Sequence, residues 1–153
     1  MVKNKGFTMI EIVIVVAIMA LLLAVVTSPF QSFRNSKALD TTSEEALSLL
    51  SEARGNTLSA KDGYQYGVHL ESSKMVLFRG GTYSALDANN KTVVLDNALE
   101  ISSIVLEGAG SDIIFDKLTG KTSQSGSFVI RAKSDTSKTR TITVVGTGVA
   151  VGL

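Results

Sequence analysis

The chain has 153 residues, of which 44% are hydrophobic and 19% are charged, and its formal net charge is +1. This length allows one modest domain beyond a membrane segment. The near-zero net charge excludes a global field that would attract nucleic acid or a membrane surface. Because cysteine is absent, disulfides, thiolate metal sites and a cysteine nucleophile are excluded as well.

A long apolar segment follows a short basic leader. Eighteen of the 20 residues from Phe7 to Val26 are apolar, and about 20 helical residues suffice to cross the hydrocarbon core of a bilayer. Lys3 and Lys5 precede the segment, so the positive-inside rule places the N-terminus in the cytoplasm and the C-terminal bulk across the membrane. A cleaved signal peptide would have a shorter apolar core and a small-residue cleavage site, whereas an uncleaved anchor fits the length.

Glu11 is the one charged residue in this segment. A carboxylate in hydrocarbon costs on the order of a few kcal/mol unless it is paired, so its presence predicts a function. A plain membrane anchor would leave it unexplained. The alternative is a tolerated carboxylate close to the membrane interface.

Helical spacing resumes beyond Pro29, and this proline should kink the helix. Apolar residues recur at intervals of three and four from Phe30 to Leu58, with charged residues between them. We therefore predict one long helix from Phe7 to about Ala60. Two capping-box patterns near Thr41 leave a separate second helix as an alternative.

Alternating apolar and polar residues with intervening turn residues predict β-structure from Gly63 onwards. The predicted fold class is α+β, with a long N-terminal helix, transmembrane in its first half and kinked near Pro29, packed on an antiparallel β-sheet domain. The candidate strands begin near Tyr66 and include Lys74–Arg79, 92–95, 101–106, 112–115, 127–133 and 139–145, and the tail from Gly146 offers one more short strand.

The N-terminus resembles the class III signal peptides of type IV pilins and type II secretion pseudopilins. The resemblance rests on a basic leader that ends in Gly6, followed by Phe7-Thr8-Met9-Ile10-Glu11 and an unbroken apolar helix. It implies cleavage by a prepilin peptidase between Gly6 and Phe7, and N-methylation of the new Phe7 amine. It also implies that Glu11 pairs with the Phe7 amine of a neighbouring subunit during filament assembly.

The order of elements resembles the H-type minor pseudopilins and their minor-pilin relatives. The resemblance implies a non-enzymatic structural subunit without a cofactor, located in the cytoplasmic (inner) membrane with a single pass and incorporated into a pilus or pseudopilus. Its expected partners are prepilin peptidase, other pilin or pseudopilin subunits and membrane lipid. The expected divisions are residues 1–6 as leader, 7–28 as transmembrane and assembly helix, 29–60 as amphipathic continuation, and 61–153 as a β-rich periplasmic or extracellular domain.

A small basic cluster in the C-terminal third suggests a second possible function. Its members are Arg131, Lys133, Lys138 and Arg140. If residues 134–138 form a hairpin turn, the four side chains project near one another, and such a patch could hold DNA phosphates. Some minor pilins of the family that the chain resembles are implicated in DNA uptake. The competing interpretation, a hairpin whose charges protect a sheet edge, is favoured because no aromatic residues interleave the cluster.

The remaining polar residues do not predict a metal or catalytic site. His69 is the only histidine, so a metal site or a Ser-His-Asp triad lacks partners. Glu107, Asp112 and Asp116 are spread over two candidate strands, whereas calcium needs several oxygens that converge from one flexible segment. An unrelated β-domain on a membrane anchor stays open as a further alternative to the filament subunit.

Overall fold

A computed structural model describes residues 6–153, except for the side chains of residues 24–32. The chain divides into an N-terminal unit that ends at Arg34 and a C-terminal unit, Asn35–Leu153. One helix, α1 (Met9–Leu58), contributes to both units. The single long helix predicted from the sequence is therefore confirmed, and it ends two residues before the predicted Ala60.

Two predictions extend beyond the described side chains. The kink near Pro29 and the last part of the membrane segment 7–28 both fall within residues 24–32, so they lie outside the described side chains. Over the residues that are described, no helical stretch meets the length and apolarity required to cross a membrane.

The C-terminal unit contains eight strands, all paired antiparallel. One sheet has the order β3-β2-β1-β5 and the other the order β4-β6-β7-β8. The strands are β1 (Tyr66–Glu71), β2 (Lys74–Arg79), β3 (Lys91–Val94), β4 (Leu99–Leu106), β5 (Asp112–Ile114), β6 (Gly126–Ala132), β7 (Thr139–Val144) and β8 (Ala150–Gly152). The predicted α+β class is confirmed, and the division of the strands into two sheets is a feature that the sequence pattern did not reveal.

The second half of α1 supplies one side of the hydrophobic core. Its buried apolar residues are Leu39, Ala46, Leu49, Leu50 and Ala53, spaced at intervals that place them on one helical face. They join the inward-facing residues of both sheets in one cluster. Phe33 and Leu58, which the periodicity assigned to the same stripe, are 71% and 42% exposed. The buried stripe is therefore shorter at both ends than the sequence pattern suggested.

A buried hydroxyl joins the end of α1 to the first strand. The Tyr66 backbone amide donates to Thr57 Oγ1 at 2.8 Å, and the Thr57 hydroxyl donates to the Ala53 carbonyl at 2.9 Å. The Tyr66 hydroxyl donates to Asp62 Oδ2 at 3.2 Å. Burial, and then the Asp62 carboxylate, raise the pKa of Tyr66 above its usual value, so the hydroxyl keeps its proton at physiological pH.

The loop between β2 and β3 covers the outer face of the first sheet. Tyr83 stacks on the His69 ring, with centroids 3.9 Å apart, and contacts Phe78 edge-on. His69 Nδ1 lies 2.5 Å from Asp112 Oδ1, and Nε2 lies 3.7 Å from Glu71 Oε1. His69 therefore helps to hold this loop against the sheet, and Phe78 beneath it is only 1% exposed.

Gly67 is required where the chain packs most closely. A Cβ at this position would lie 2.7 Å from the Phe78 ring and 2.8 Å from the Ile113 carbonyl oxygen. We expect Gly67→Ala to lower the free energy of unfolding by about 1–3 kcal/mol, because the strand must shift to accommodate the methyl group. Denaturant titration of the purified protein measures the effect.

Gly55 provides the matched control for this substitution. It lies in the exposed interior of α1, and a Cβ there meets nothing within 4 Å. Gly55→Ala should therefore raise the free energy of unfolding by about 0.5–1 kcal/mol, since alanine restricts the unfolded chain and favours the helix. Effects of the same sign in the two variants would contradict the packing described at Gly67.

Candidate functional site

The predicted cleavage site lies in exposed, non-helical chain immediately before α1. Gly6, Phe7 and Thr8 are exposed and have no regular secondary structure, and the helix begins at Met9. A Cβ at Gly6 would meet no atom within 4 Å. The peptide bond between Gly6 and Phe7 thus lies outside the helix, in exposed chain.

Thr8 caps the helix, which the sequence analysis missed. Its Oγ1 accepts a hydrogen bond from the Glu11 backbone amide at 3.3 Å, and its carbonyl accepts from the amides of Glu11 and Ile12. Thr8 and Glu11 have the Thr-x-x-Glu spacing of a capping box, which was the available signal. The cap fixes Glu11 in the first helical turn, where the helix dipole favours a carboxylate.

The apolar residues after the cap are exposed around the whole circumference of the helix. Between Phe7 and Leu23, the large apolar side chains expose from 49% to 88% of their surface. A helix that is apolar on every side requires a nonpolar surrounding, either lipid or other helices. Residues 9–23 of α1 therefore present a surface for association, with Glu11 as their one carboxylate.

Glu11 and Phe7 lie four residues apart in the sequence, and Phe7 precedes the helix that begins at Met9. In the uncleaved chain the Phe7 nitrogen belongs to a peptide bond and carries no charge. Cleavage after Gly6 would convert it to an ammonium group. Processing would therefore create, at one end of the apolar surface, a cation and an anion that can pair between neighbouring chains.

The structure separates the four residues of the basic cluster into two groups. Arg140 lies opposite Ile130 in the β6–β7 pairing and so faces the same side of the sheet. Its Nε and Nη2 donate to Asp40 Oδ1 of α1 at 3.0 and 2.6 Å, and Lys138 Nζ donates to Ser36 Oγ of α1 at 3.1 Å. Both side chains are therefore directed towards the helix.

Arg131 and Lys133 lie on the opposite side. Arg131 Nε donates to Glu100 Oε1 at 2.7 Å, and Lys133 Nζ donates to the Asn97 carbonyl at 3.0 Å. The expectation that all four side chains project together is wrong, because the register of the hairpin directs Arg140 to the face of Ile130. Hydrogen bonds from the Ser137 hydroxyl, and then from its backbone amide, lower the pKa of Asp135, so the turn between the strands keeps its negative charge.

The acidic residues weighed as calcium ligands lie on separate elements. Asp112 contacts His69, and Glu107 Oε2 accepts a hydrogen bond from the Ser125 hydroxyl. Asp116 begins the turn after β5 and is exposed. Within the described part of the chain, no group of three histidine, cysteine, aspartate or glutamate side chains could hold a metal ion.

Comparisons with known proteins address the N-terminus and the fold separately. The family model for the prokaryotic N-terminal methylation motif matches residues 1–27. Among solved structures, the chain is similar to the type IV minor pilin FimU of Pseudomonas aeruginosa (strain PAO1). The TM-score is 0.57 at 15% sequence identity, over 75% of this chain and 92% of that one. A comparison with curated proteins finds no match.

These findings confirm the resemblance inferred from the sequence. The chain carries the N-terminal methylation motif of prepilin-type proteins, and its fold is like that of a type IV minor pilin. The motif covers Gly6, Phe7 and Glu11, whereas the structural similarity extends to the β-domain. Individual roles for those three residues stay predictions.

The separation of the basic residues can be tested with paired substitutions. We expect any salt-dependent DNA binding to depend on the outward pair, so that Arg131→Gln with Lys133→Gln lowers the salt slope by about 2. Lys138→Gln with Arg140→Gln should change the slope much less, because these two side chains are directed towards α1 on the other side of the sheet, away from a duplex bound at Arg131 and Lys133. Fluorescence anisotropy with a labelled duplex measures both variants across a salt series. Equal losses in the two variants would contradict the separation into two groups.

Proposed function

We propose that this chain is a structural minor subunit of a type IV pilus or of a type II secretion pseudopilus. Prepilin peptidase would cut between Gly6 and Phe7, and the new Phe7 amine would be N-methylated. Residues 7–28 would then hold the subunit in the cytoplasmic membrane and later pack in the filament core. Residues 29–60 would continue the helix, and residues 61–153 would form its outer domain.

The observation that carries this proposal is the combination of a methylation motif with an apolar helix exposed on every side. A soluble enzyme would not leave so large an apolar surface uncovered, because burial of that surface is the main driving force of folding and association. The similarity to a minor pilin in fold adds independent support. We propose no catalytic role for any residue.

Glu11 would act as a registration device between subunits. A carboxylate and an ammonium group are each costly in a nonpolar surrounding, and pairing them removes most of the cost of both. The pair would form only where one helix is staggered correctly against the next, much as a buried polar group fixes register in a coiled coil. The Thr8 cap would hold the Glu11 backbone in place for this contact.

The charge of the processed chain is compatible with dense packing. Removing the leader takes away two of the 15 basic residues and none of the 14 acidic ones, which leaves a net charge of −1. A nearly neutral subunit meets little self-repulsion when copies or relatives pack side by side. Lys3 and Lys5, which orient the precursor in the membrane, are not needed after insertion.

The mass of the N-terminal peptide tests the processing step. We expect membrane-extracted protein to begin at methylated Phe7 when prepilin peptidase is active, and at Met1 when the peptidase gene is deleted. Peptide mass spectrometry distinguishes the two forms. A chain that begins at Met1 in both hosts, or that is cut after the apolar segment, would overturn the proposal.

Gly6→Val tests whether cleavage depends on the residue before the scissile bond. A Cβ at Gly6 has open space around it, so the substitution should leave the fold intact. We expect the variant to accumulate uncut at full abundance in the membrane, because the peptidase recognises the residue before the scissile bond. Normal cleavage of this variant would contradict the role assigned to Gly6.

A further inference from the structure

The turn between β6 and β7, residues 133–138, is held in one shape by local hydrogen bonds. The Ser137 amide and hydroxyl donate to Asp135 Oδ1 at 3.2 and 2.6 Å. The Lys133 amide donates to the Ala98 carbonyl at 2.8 Å, which fastens the turn to the chain just before β4. A turn fixed in this way can hold another element in place with little further loss of conformational entropy.

Three polar contacts connect this turn and the start of β7 to residues 35–40 of α1. Asn35 Nδ2 donates to Ser134 Oγ at 2.8 Å. The other two contacts join the side chains of Lys138 and Arg140 to the helix. The residues that take part, here named the latch, are Asn35, Ser36, Asp40, Ser134, Lys138 and Arg140.

The latch extends one helical turn ahead of the apolar core. Among the described side chains of α1, Leu39 is the first apolar one that is buried, and Phe33 is 71% exposed. Only the partly buried Ala38 adds apolar contact with the core before Leu39 in the described part of the helix. Asn35 is nevertheless 4% exposed, and a buried amide is tolerated only when it is hydrogen-bonded. Residues 35–38 therefore depend mainly on polar contacts for their attachment to the β-domain.

We propose that the latch sets the position along α1 from which the helix can no longer bend or unwind. With the latch closed, the helix is fixed to the β-domain from Asn35, the first residue of the C-terminal unit. With the latch open, the helix is fixed only from Leu39. Release therefore adds about one helical turn to the part of α1 that opens locally, and segments of low local stability are those that conformational changes use. The inference goes beyond the proposed function, because it requires neither cleavage at Gly6 nor a neighbouring subunit.

The ion pair of the latch makes it sensitive to salt. The side chains of Asp40 and Arg140 are 43% and 38% exposed, so dissolved ions screen their attraction. The contact between Asn35 and Ser134 carries no charge and is insensitive to this screening. Salt should therefore loosen the latch in part and leave the apolar core intact.

Hydrogen–deuterium exchange of the full-length protein in detergent micelles tests the latch, with peptide mass spectrometry as the readout. In the double variant Lys138→Gln with Arg140→Gln, we expect the amides of residues 35–44 to exchange roughly two- to fivefold faster, the range for a partly exposed ion pair. The affected stretch extends to residue 44 because each helical amide bonds to the carbonyl four positions earlier. Amides of residues 47–57 in the same helix, and those of β6, should change much less.

Arg131→Gln with Lys133→Gln is the matched control. It removes the same two types of charge from the same hairpin, on the side where Arg131 pairs with Glu100. The exchange of residues 35–44 should then match that of the unaltered chain. Equal acceleration in the two double variants, acceleration spread evenly over α1 and β6, or no acceleration in the latch variant would overturn the proposal.

The uncharged contact gives a second readout. Ser134→Ala removes the acceptor of the Asn35 amide, so the amides of residues 35–44 should exchange roughly two- to tenfold faster. Ser102→Ala is the control, since it removes an exposed serine on β4 and should have no effect on α1. Equal exchange in these two variants would overturn the latch.

A salt series gives a third readout that needs no substitution in the contact itself. Raising the salt from about 0.05 M to about 1 M should accelerate exchange of residues 35–44 in the unaltered chain. The double variant Lys138→Gln with Arg140→Gln should respond much less, because its ion pair is already absent. Equal salt effects in the two chains would contradict the contribution assigned to Asp40 and Arg140.

Discussion

The placement of one carboxylate in an apolar helix constrains the rest of the N-terminal unit. Glu11 is the single charged residue between Phe7 and Leu23, and it lies in the first turn of α1, whose large apolar side chains from Met9 to Leu23 are all exposed. Pairing with a cation is the route by which such a group becomes tolerable in a nonpolar surrounding. Cleavage after Gly6 would create that cation at Phe7, and the Thr8 cap holds the carboxylate's backbone in a fixed position. The proposed ion pair would thus relate the leader, the cap and the apolar surface to one another.

The C-terminal unit has a different physical basis. There the second half of α1 is apolar on one side only, and two antiparallel sheets cover that side in a single core. Its charged side chains are satisfied largely within the unit, as Arg140 with Asp40 and Arg131 with Glu100 illustrate. The C-terminal unit therefore has a core of its own.

The sequence predicted local features better than long-range ones. The helix from Met9 to Leu58, the β1–β2 hairpin and the strand that contains Phe128 follow from periodicity and turn residues, which depend on near neighbours. The division into two sheets depends on pairings between distant segments, which periodicity does not encode. Arg140 shows the same limit, because its pairing with Ile130 in the β6–β7 hairpin sets the side of the sheet on which its side chain lies. The Thr8 cap was predictable from the Thr-x-x-Glu spacing to Glu11, but it was not predicted from the sequence.

Incorporation of Glu11 variants into filaments tests the central claim most directly. Processed subunits with Glu11→Gln or Glu11→Val would be quantified by immunoblot in the membrane fraction and in the filament fraction. The matched control is Glu44→Gln, which removes an exposed carboxylate later on the same helix. The ion-pair account predicts that both Glu11 variants are cleaved and reach the membrane normally but are lost from the filament fraction, whereas Glu44→Gln is incorporated like the unaltered chain. Incorporation of Glu11→Val at the level of the unaltered chain would contradict the account.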